Sequence, residues 1–371
     1  MGVDISQMPD LLLTTLANRA KNFFEVMWDT PDLVFCRIYN EHRRKIAGGT
    51  SLKRHVMLDR VGRAKYRQMF DTDTPAVDNT LHEIEVHWSQ LGTSYSWDEL
   101  ELLQNIASPE GVIDLVESRR LEKMWDYAEL LEDRGWLAPI SATDRLNPFG
   151  VPYYLPYANN GATAAGFIGQ TIRYQGGTTG TICAGIDAAV EDKWRSYCGF
   201  YTRVDNGLLR TLRAAIHRTI FRPAPNVPVQ GSNNVGSPCE LYANDEVVTE
   251  MEDLGDKRDD ASAPKDLAGK MLHNMDGVVF FNRRPVRYVS RLDDETVGDS
   301  NGAAFSPDSI TCVDWSKIQP VTREGYWMKE SKPISGGISQ HTTLTVFLDG
   351  SHANLCPSRR MAGFRVHKSI P

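Results

Sequence analysis

The sequence predicts an α+β fold, on three observations: one long amphipathic helix at 109–134, an extended basic excursion over about 37–88, and a C-terminal half of strand-like runs. The chain has 371 residues, a length that suits about two domains. With 41% hydrophobic and 24% charged residues, a disordered or collagen-like chain is excluded. The net charge of −7 argues against a globally basic nucleic-acid binder. The longest apolar runs are far too short to span a bilayer. The first residues, MGVDISQMPD, lack the charged and apolar regions of a signal peptide. Gly2 to Ser6 fits the loose myristoylation pattern, which is short enough to match by chance.

Taken in order, residues 9–28 carry Leu13, Leu16, Ala17, Ala20, Phe23, Phe24 and Met27, a helical stripe that suits packing on a neighbouring surface. From Arg37 to Arg67 stand ten basic and two acidic residues, a net of +8; from Asp71 to Asp133 stand sixteen acidic and three basic ones, a net of −13. These blocks are either two solvated faces or a complementary pair that steers association. The basic block has few large apolar residues at core spacing. LHEIEVHW at 81–88 then alternates through Ile84, Val86 and Trp88. Together they predict a long polar two-stranded excursion, which needs something else to hold it down.

The helix at 109–134 has Ser108 as N-cap and Pro109 at the first helical position, where its missing N–H costs nothing. Val112, Ile113, Val116, Met124, Trp125, Ala128 and Leu131 form its apolar stripe, with Glu132 and Asp133 in a solvated face and Gly135 as a left-handed stop. Val116 and Trp125 are expected to face the C-terminal strands. Residues 140–200, rich in Gly, Tyr and Pro, predict strands and loops. A helix follows from Asp205, its N-cap, to Phe221, with Leu208, Leu209, Leu212, Ile216 and Ile220 inward. Residues 223–237 read as a loop and 252–270 as exposed and charged. Strand-like runs occupy 278–292, 310–321, 325–329 and 341–349.

Motifs for catalysis do not assemble. HEIEVH at 82–87 is one residue too long for the zinc-protease motif, so His82 and His87 cannot share a metal from one regular element. GGTTGT at 176–181 lacks the lysine of a phosphate-binding loop. The six cysteines include no CxxC pair and read as reduced structural thiols. No catalytic, cofactor-binding or metal-binding residue is assigned. Arg359 and Arg360 lie either in a solvated turn or against carboxylates across a subunit contact.

The ordered set resembles the major capsid proteins of tailed double-stranded DNA phages, those of the HK97-type fold, over most of the chain. Residues 1–36 resemble the N-terminal arm and 37–88 the E-loop. IEVHWSQLGTSYSWDELELLQN and then the helix at 109–134 resemble the strand that closes the E-loop followed by the spine helix of the P-domain, the P-domain taking 89–139. Residues 140–285 would be A-domain. NRRPVRYVSRL, DSITCVDWSKIQPV and GYWMKES resemble the P-domain return strands over 286–347, and 348–371 the segment that returns to the A-domain.

The resemblance implies a non-enzymatic homo-oligomer, pentamers and hexamers tiling an icosahedral shell around DNA that it touches without sequence preference. It implies a place in the virion capsid, synthesis in the host bacterial cytoplasm and no membrane. Scaffolding, portal and decoration proteins are further partners in that family. No long N-terminal scaffolding segment is seen, which leaves a separate scaffold or a removed pro-segment open. Some members crosslink an E-loop Lys to an Asn of a neighbour, and Lys53 and Lys65 lie in the matching segment. Expected interface residues are Arg43, Arg44, Lys53, Arg54, Arg63, Lys65, Arg359 and Arg360. An encapsulin-like cellular shell is the nearest alternative. An enzyme such as a two-carboxylate glycoside hydrolase is the more distant one.

Overall fold

The computed structural model describes residues 32–58, 64–70, 80–104, 109–158, 164–221, 239–261, 272–275, 278–293, 308–336 and 341–368. The expected helix at 9–28, the Ser108 cap and the 223–237 loop lie outside them. In chain order the main elements begin with α1 (Val34–His42), β1 (Arg44–Ile46), β2 (Ser51–Met57), β3 (Leu81–His87), β4 (Ser89–Asp98), α2 (Glu99–Gln104) and α3 (Pro109–Gly135). Next come α4 (Val151–Tyr154), β5 (Gly166–Gly169), β6 (Ser196–Tyr201), α5 (Asn206–Thr219), β7 (Glu240–Ala243) and α6 (Asp245–Ala261). The remainder is strand-rich: β8 (Leu272–Met275), β9 (Val278–Phe281), β10 (Arg284–Tyr288), β11 (Ile310–Val313), β12 (Gln319–Arg323), β13 (Lys329–Glu330), β14 (Ile334–Ser335), β15 (Thr343–Leu355), α7 (Arg359–Ala362) and β16 (Gly363–Lys368).

Contacts divide the chain into two compact units. One takes residues up to Gly48, then 89–133 and 321–352; the other takes 49–88, 134–320 and 353 onward. In the first, β15 pairs antiparallel with the whole of β4, from Thr343 opposite Asp98 to His352 opposite Ser89. β12, β13 and β14 also pair with β15, and β1 runs parallel to β12 at the edge. Tyr127 of α3 packs with Leu91 and Leu348 of this sheet, with Met124 alongside. Gly350 is what admits it, because a Cβ there would overlap the Tyr127 hydroxyl.

The stripe of α3 is therefore rotated from the expected one. Tyr127, Leu131, Glu132 and Gly135 are its buried positions among those described, while Val116 and Trp125 are half-buried. Glu132 is not in a solvated face, as expected; its carboxylate accepts from the Phe35 N–H at 2.7 Å. Leu33, at the N-cap of α1, has no side chain able to cap, so a carboxylate from another helix takes that place. Gly135 does not take a left-handed φ. The carbonyls of Arg134, Gly135 and Leu137 instead lie against Gly150, where a side chain would clash.

Residues 37–42, expected to open the extended excursion, are helical. Val34, Phe35, Ile38 and Tyr39 are all buried, a helical spacing that outweighs the flanking charge. Tyr39 stacks on Trp327 at 5.0 Å and meets His352 edge-on at 5.5 Å. The run 325–329, expected as a strand, is a turn that presents Trp327; only Lys329 and Glu330 pair.

The second unit holds an eight-stranded mixed sheet in the order β8-β9-β10-β7-β11-β16-β6-β5. α5 matches expectation. Asp205 caps it by accepting from the N–H groups of Gly207 and Leu208, and Leu208, Leu209, Leu212 and Ile216 are buried in the sheet's core cluster. The run 278–292 is not one strand. Asn282 and Arg283 both take positive φ, at 51° and 63°, and turn it into the β9–β10 hairpin. Val286–Tyr288 of β10 and Ile310–Val313 of β11, expected among the P-domain return strands, lie in this sheet because β10 and β11 flank β7. Residues 245–261, expected to be partly an exposed charged stretch, form α6. Asn244 caps it through the Val247 N–H, and Val247 and Met251 are buried at helical spacing. β15 itself runs from Thr343 to Leu355.

Candidate assembly surface

The surface most suited to a partner starts from the β2–β3 hairpin. Its ladder runs from Ser51 opposite His87 to Met57 opposite Leu81. Alternation puts Leu52, Val56, Ile84 and Val86 on one face, and all four are buried. The other face carries Lys53, His55 and Met57 opposite Glu85, Glu83 and Leu81 in turn, all exposed. The base is held by its own chain. The Glu85 N–H donates to the Ala184 carbonyl at 3.1 Å, and His87 Nε2 lies 2.9 Å from the Asn147 carbonyl. The His87 ring also meets Phe149 edge-on at 4.6 Å.

Toward the tip this anchoring ends. Met57 and Leu81 are largely exposed, and Tyr66, Met69 and Phe70 are at 105%, 89% and 100% exposure. Five large apolar side chains in water on one excursion mark an interaction surface. Sequence reasoning rested on charge and passed over these residues. Their signal was present: aromatic and Met side chains inside a segment with no core periodicity.

The expected interface cations distribute unevenly. Lys53 pairs with Glu83 at 2.8 Å within the hairpin, which raises the Lys53 pKa and lowers that of Glu83. Part of the basic block thus finds its counter-charge in its own ladder. Arg54 and Lys65 are exposed, and Arg63 lies outside the described residues. In the first unit Arg44 is exposed on the edge strand β1, while Arg43 sits 5.8 Å from the centre of the Trp327 ring.

Arg359 corrects both readings made of it, since it is neither solvated nor available to another subunit. It is fully buried, with Nε donating to the Tyr154 carbonyl at 2.9 Å and Nη2 to the Gly169 carbonyl at 3.4 Å. Arg360 is more accessible; it stacks over Phe167 at 4.2 Å and donates to the Asp192 carbonyl at 3.0 Å. Among the described residues no cluster of three or more His, Cys, Asp or Glu could hold a metal, and no helix is long and apolar enough to cross a membrane.

No protein-family model matches the chain, and no curated protein matches it in sequence. Solved structures do. The capsid asymmetric unit of cyanophage A-1(L) superimposes with a TM-score of 0.62 at 11% identity, covering 99% of each chain. The capsid of Myoviridae phage XM1 gives 0.51 at 12% identity, over 95% of this chain and 96% of that one. The chain has the HK97-type capsid fold. The capsid of a native GTA particle is similar to it as well, with a TM-score of 0.53 at 10% identity over 95% and 94% of the two chains. Nearly whole chains align at identities this low. The HK97-type fold is therefore carried here by the order and pairing of elements, without a residue motif.

Proposed function

We propose that this chain is the major capsid protein of a tailed double-stranded DNA phage, a structural subunit that self-assembles into an icosahedral shell. One observation carries the proposal: nearly the whole chain aligns with a phage capsid subunit, and it includes an excursion whose apolar tip is left exposed by its own chain. Surface of this kind is costly for a solitary soluble protein and useful to one that tiles. In this reading the β2–β3 hairpin serves as E-loop, α3 as spine helix with the six-stranded sheet as P-domain, and the eight-stranded sheet as A-domain. Pentamers and hexamers are the shell's building blocks, and contact with packaged DNA is non-specific. The net charge of −7 supports that last point, since a strongly basic wall would bind phosphate tightly and in a salt-dependent way.

Negative-stain microscopy of the purified full chain, at rising protein concentration and with a crowding agent, tests the proposal. Curved shells or capsomer rings are the expected result. A chain that stays monomeric under all these conditions overturns it.

A further inference from the structure

Cys239 immediately precedes β7, and Cys312 lies in β11. In their antiparallel register Glu240 is opposite Val313 and Leu241 is opposite Cys312. Side chains alternate along a strand, so Cys239 shares a face with Leu241 and stands one diagonal step from Cys312 on the same side of the sheet. The two thiols are close enough to influence each other's ionisation. Both line a small cavity of about 40 Å³, together with Arg284, Asp314, Lys317 and Thr219. Arg284 Nη1 is buried and has no hydrogen-bond partner among the described residues. Cys239 is half-buried, whereas Cys312 is fully buried.

The two thiols are chemically unequal. The Cys312 thiol lowers the Cys239 pKa against the opposing effect of burial, and the Arg284 guanidinium adds to the lowering. Burial pushes Cys312 the other way. The other cysteines with resolved shifts are raised by burial, Cys36, Cys198 and Cys356 to about 12 and Cys183 to about 11. A thiol's rate of exchange follows its thiolate fraction and its access; Cys239 and Cys36 are the two that are not fully buried, and of these only Cys239 has its pKa lowered.

We propose that Cys239 and Cys312 form a redox-modifiable dithiol, in which Cys239 attacks a small disulfide oxidant and Cys312 resolves the product into a Cys239–Cys312 disulfide. In the first step the Cys239 thiolate bonds to one sulfur of the reagent and expels the other as a thiolate. In the second, Cys312 gives its proton to solvent and attacks Cys239 Sγ, expelling the second reagent thiolate. Two protein thiols are oxidised and one reagent disulfide is reduced to two thiols. Diagonal pairs stand about 7–8 Å apart between Cα atoms, slightly beyond disulfide range. Cys239 lies just outside the β7 ladder, where the chain can close that gap without breaking a strand pair. The bridge ties two adjacent strands of the eight-stranded sheet and forms only in oxidising surroundings.

The test treats the purified, reduced full chain with oxidised glutathione, followed by mass spectrometry of an unreduced digest over time. Cys239 is expected to react about tenfold or more faster than any other cysteine. A linked peptide joining Cys239 to Cys312, two hydrogens lighter than the reduced pair, should then accumulate and disappear on adding dithiothreitol. Cys312→Ser should stop at the glutathione adduct on Cys239. The wild-type reading does not depend on any variant folding. Glutathione that stays on Cys239 of the wild-type chain, or a different cysteine reacting first, overturns the proposal.

Discussion

The carboxylate of Glu132, near the end of the long helix α3, accepts the backbone N–H of Phe35 in the first turn of α1 at 2.7 Å. Two helices far apart in sequence are thereby joined at a helix start that has no cap of its own. Glu132→Ala removes the acceptor and leaves that N–H buried. We expect a loss of about 2 kcal/mol in urea unfolding. Glu132→Gln, which keeps an acceptor oxygen, should lose less. Equal stability of the alanine variant and wild type would show that the contact contributes nothing net.

Arg359 and Arg360 are neighbours with different roles, and their alanine variants should separate. Arg359→Ala strips two buried carbonyls, those of Tyr154 and Gly169, of a charged donor. A loss of about 3 kcal/mol is expected in chemical denaturation. Arg360→Ala gives up a stacking contact on Phe167 and should cost about 1 kcal/mol or less. Similar losses in the two would refute the contrast in burial.

His352 is buried beside Tyr39 and Trp327, with neither ring nitrogen hydrogen-bonded among the described residues. Burial lowers its pKa from 6.5 to about 4. The unfolded chain therefore binds a proton between these values that the folded chain refuses, and stability falls as pH drops through this window. The loss from this residue is complete by about pH 4 and amounts to roughly 3 kcal/mol. Denaturant midpoints at pH 7 and pH 4.5 should differ by less in His352→Phe than in wild type. An unchanged pH slope would mean that His352 titrates normally.

The exposed tip residues test assembly without touching a core. Replacing Tyr66, Met69 and Phe70 together by Ser should leave circular dichroism and the unfolding midpoint unchanged, since all three already face water. Shell formation, followed by light scattering, should slow markedly. Assembly at the wild-type rate would show that the tip is not part of the contact. A parallel variant, Arg44→Glu with Arg54→Glu, measures the share due to charge. Its effect should shrink as salt is raised from about 0.1 M to 1 M.

Where a local signal was complete, the sequence alone determined the result. Asp205 followed by leucines at helical spacing defines α5, and the alternation through Ile84, Val86 and Trp88 defines β3, because capping and side-chain period act within a few residues. The overall layout was legible for the same reason, as an ordered series of such segments.

Tertiary structure decided what long-range contacts control. It placed β10 and β11 in the eight-stranded sheet, since sheet membership depends on which distant strand supplies the partner. It buried Glu132 and Arg359, charged residues that any local reading sends to water, because a helix start and two carbonyls elsewhere in the chain satisfy them. It exposed Tyr66 and Phe70, aromatic residues of the charged excursion, because nothing in their own chain covers them among the described residues. Burial is a property of the packed whole, and hydropathy only weights it.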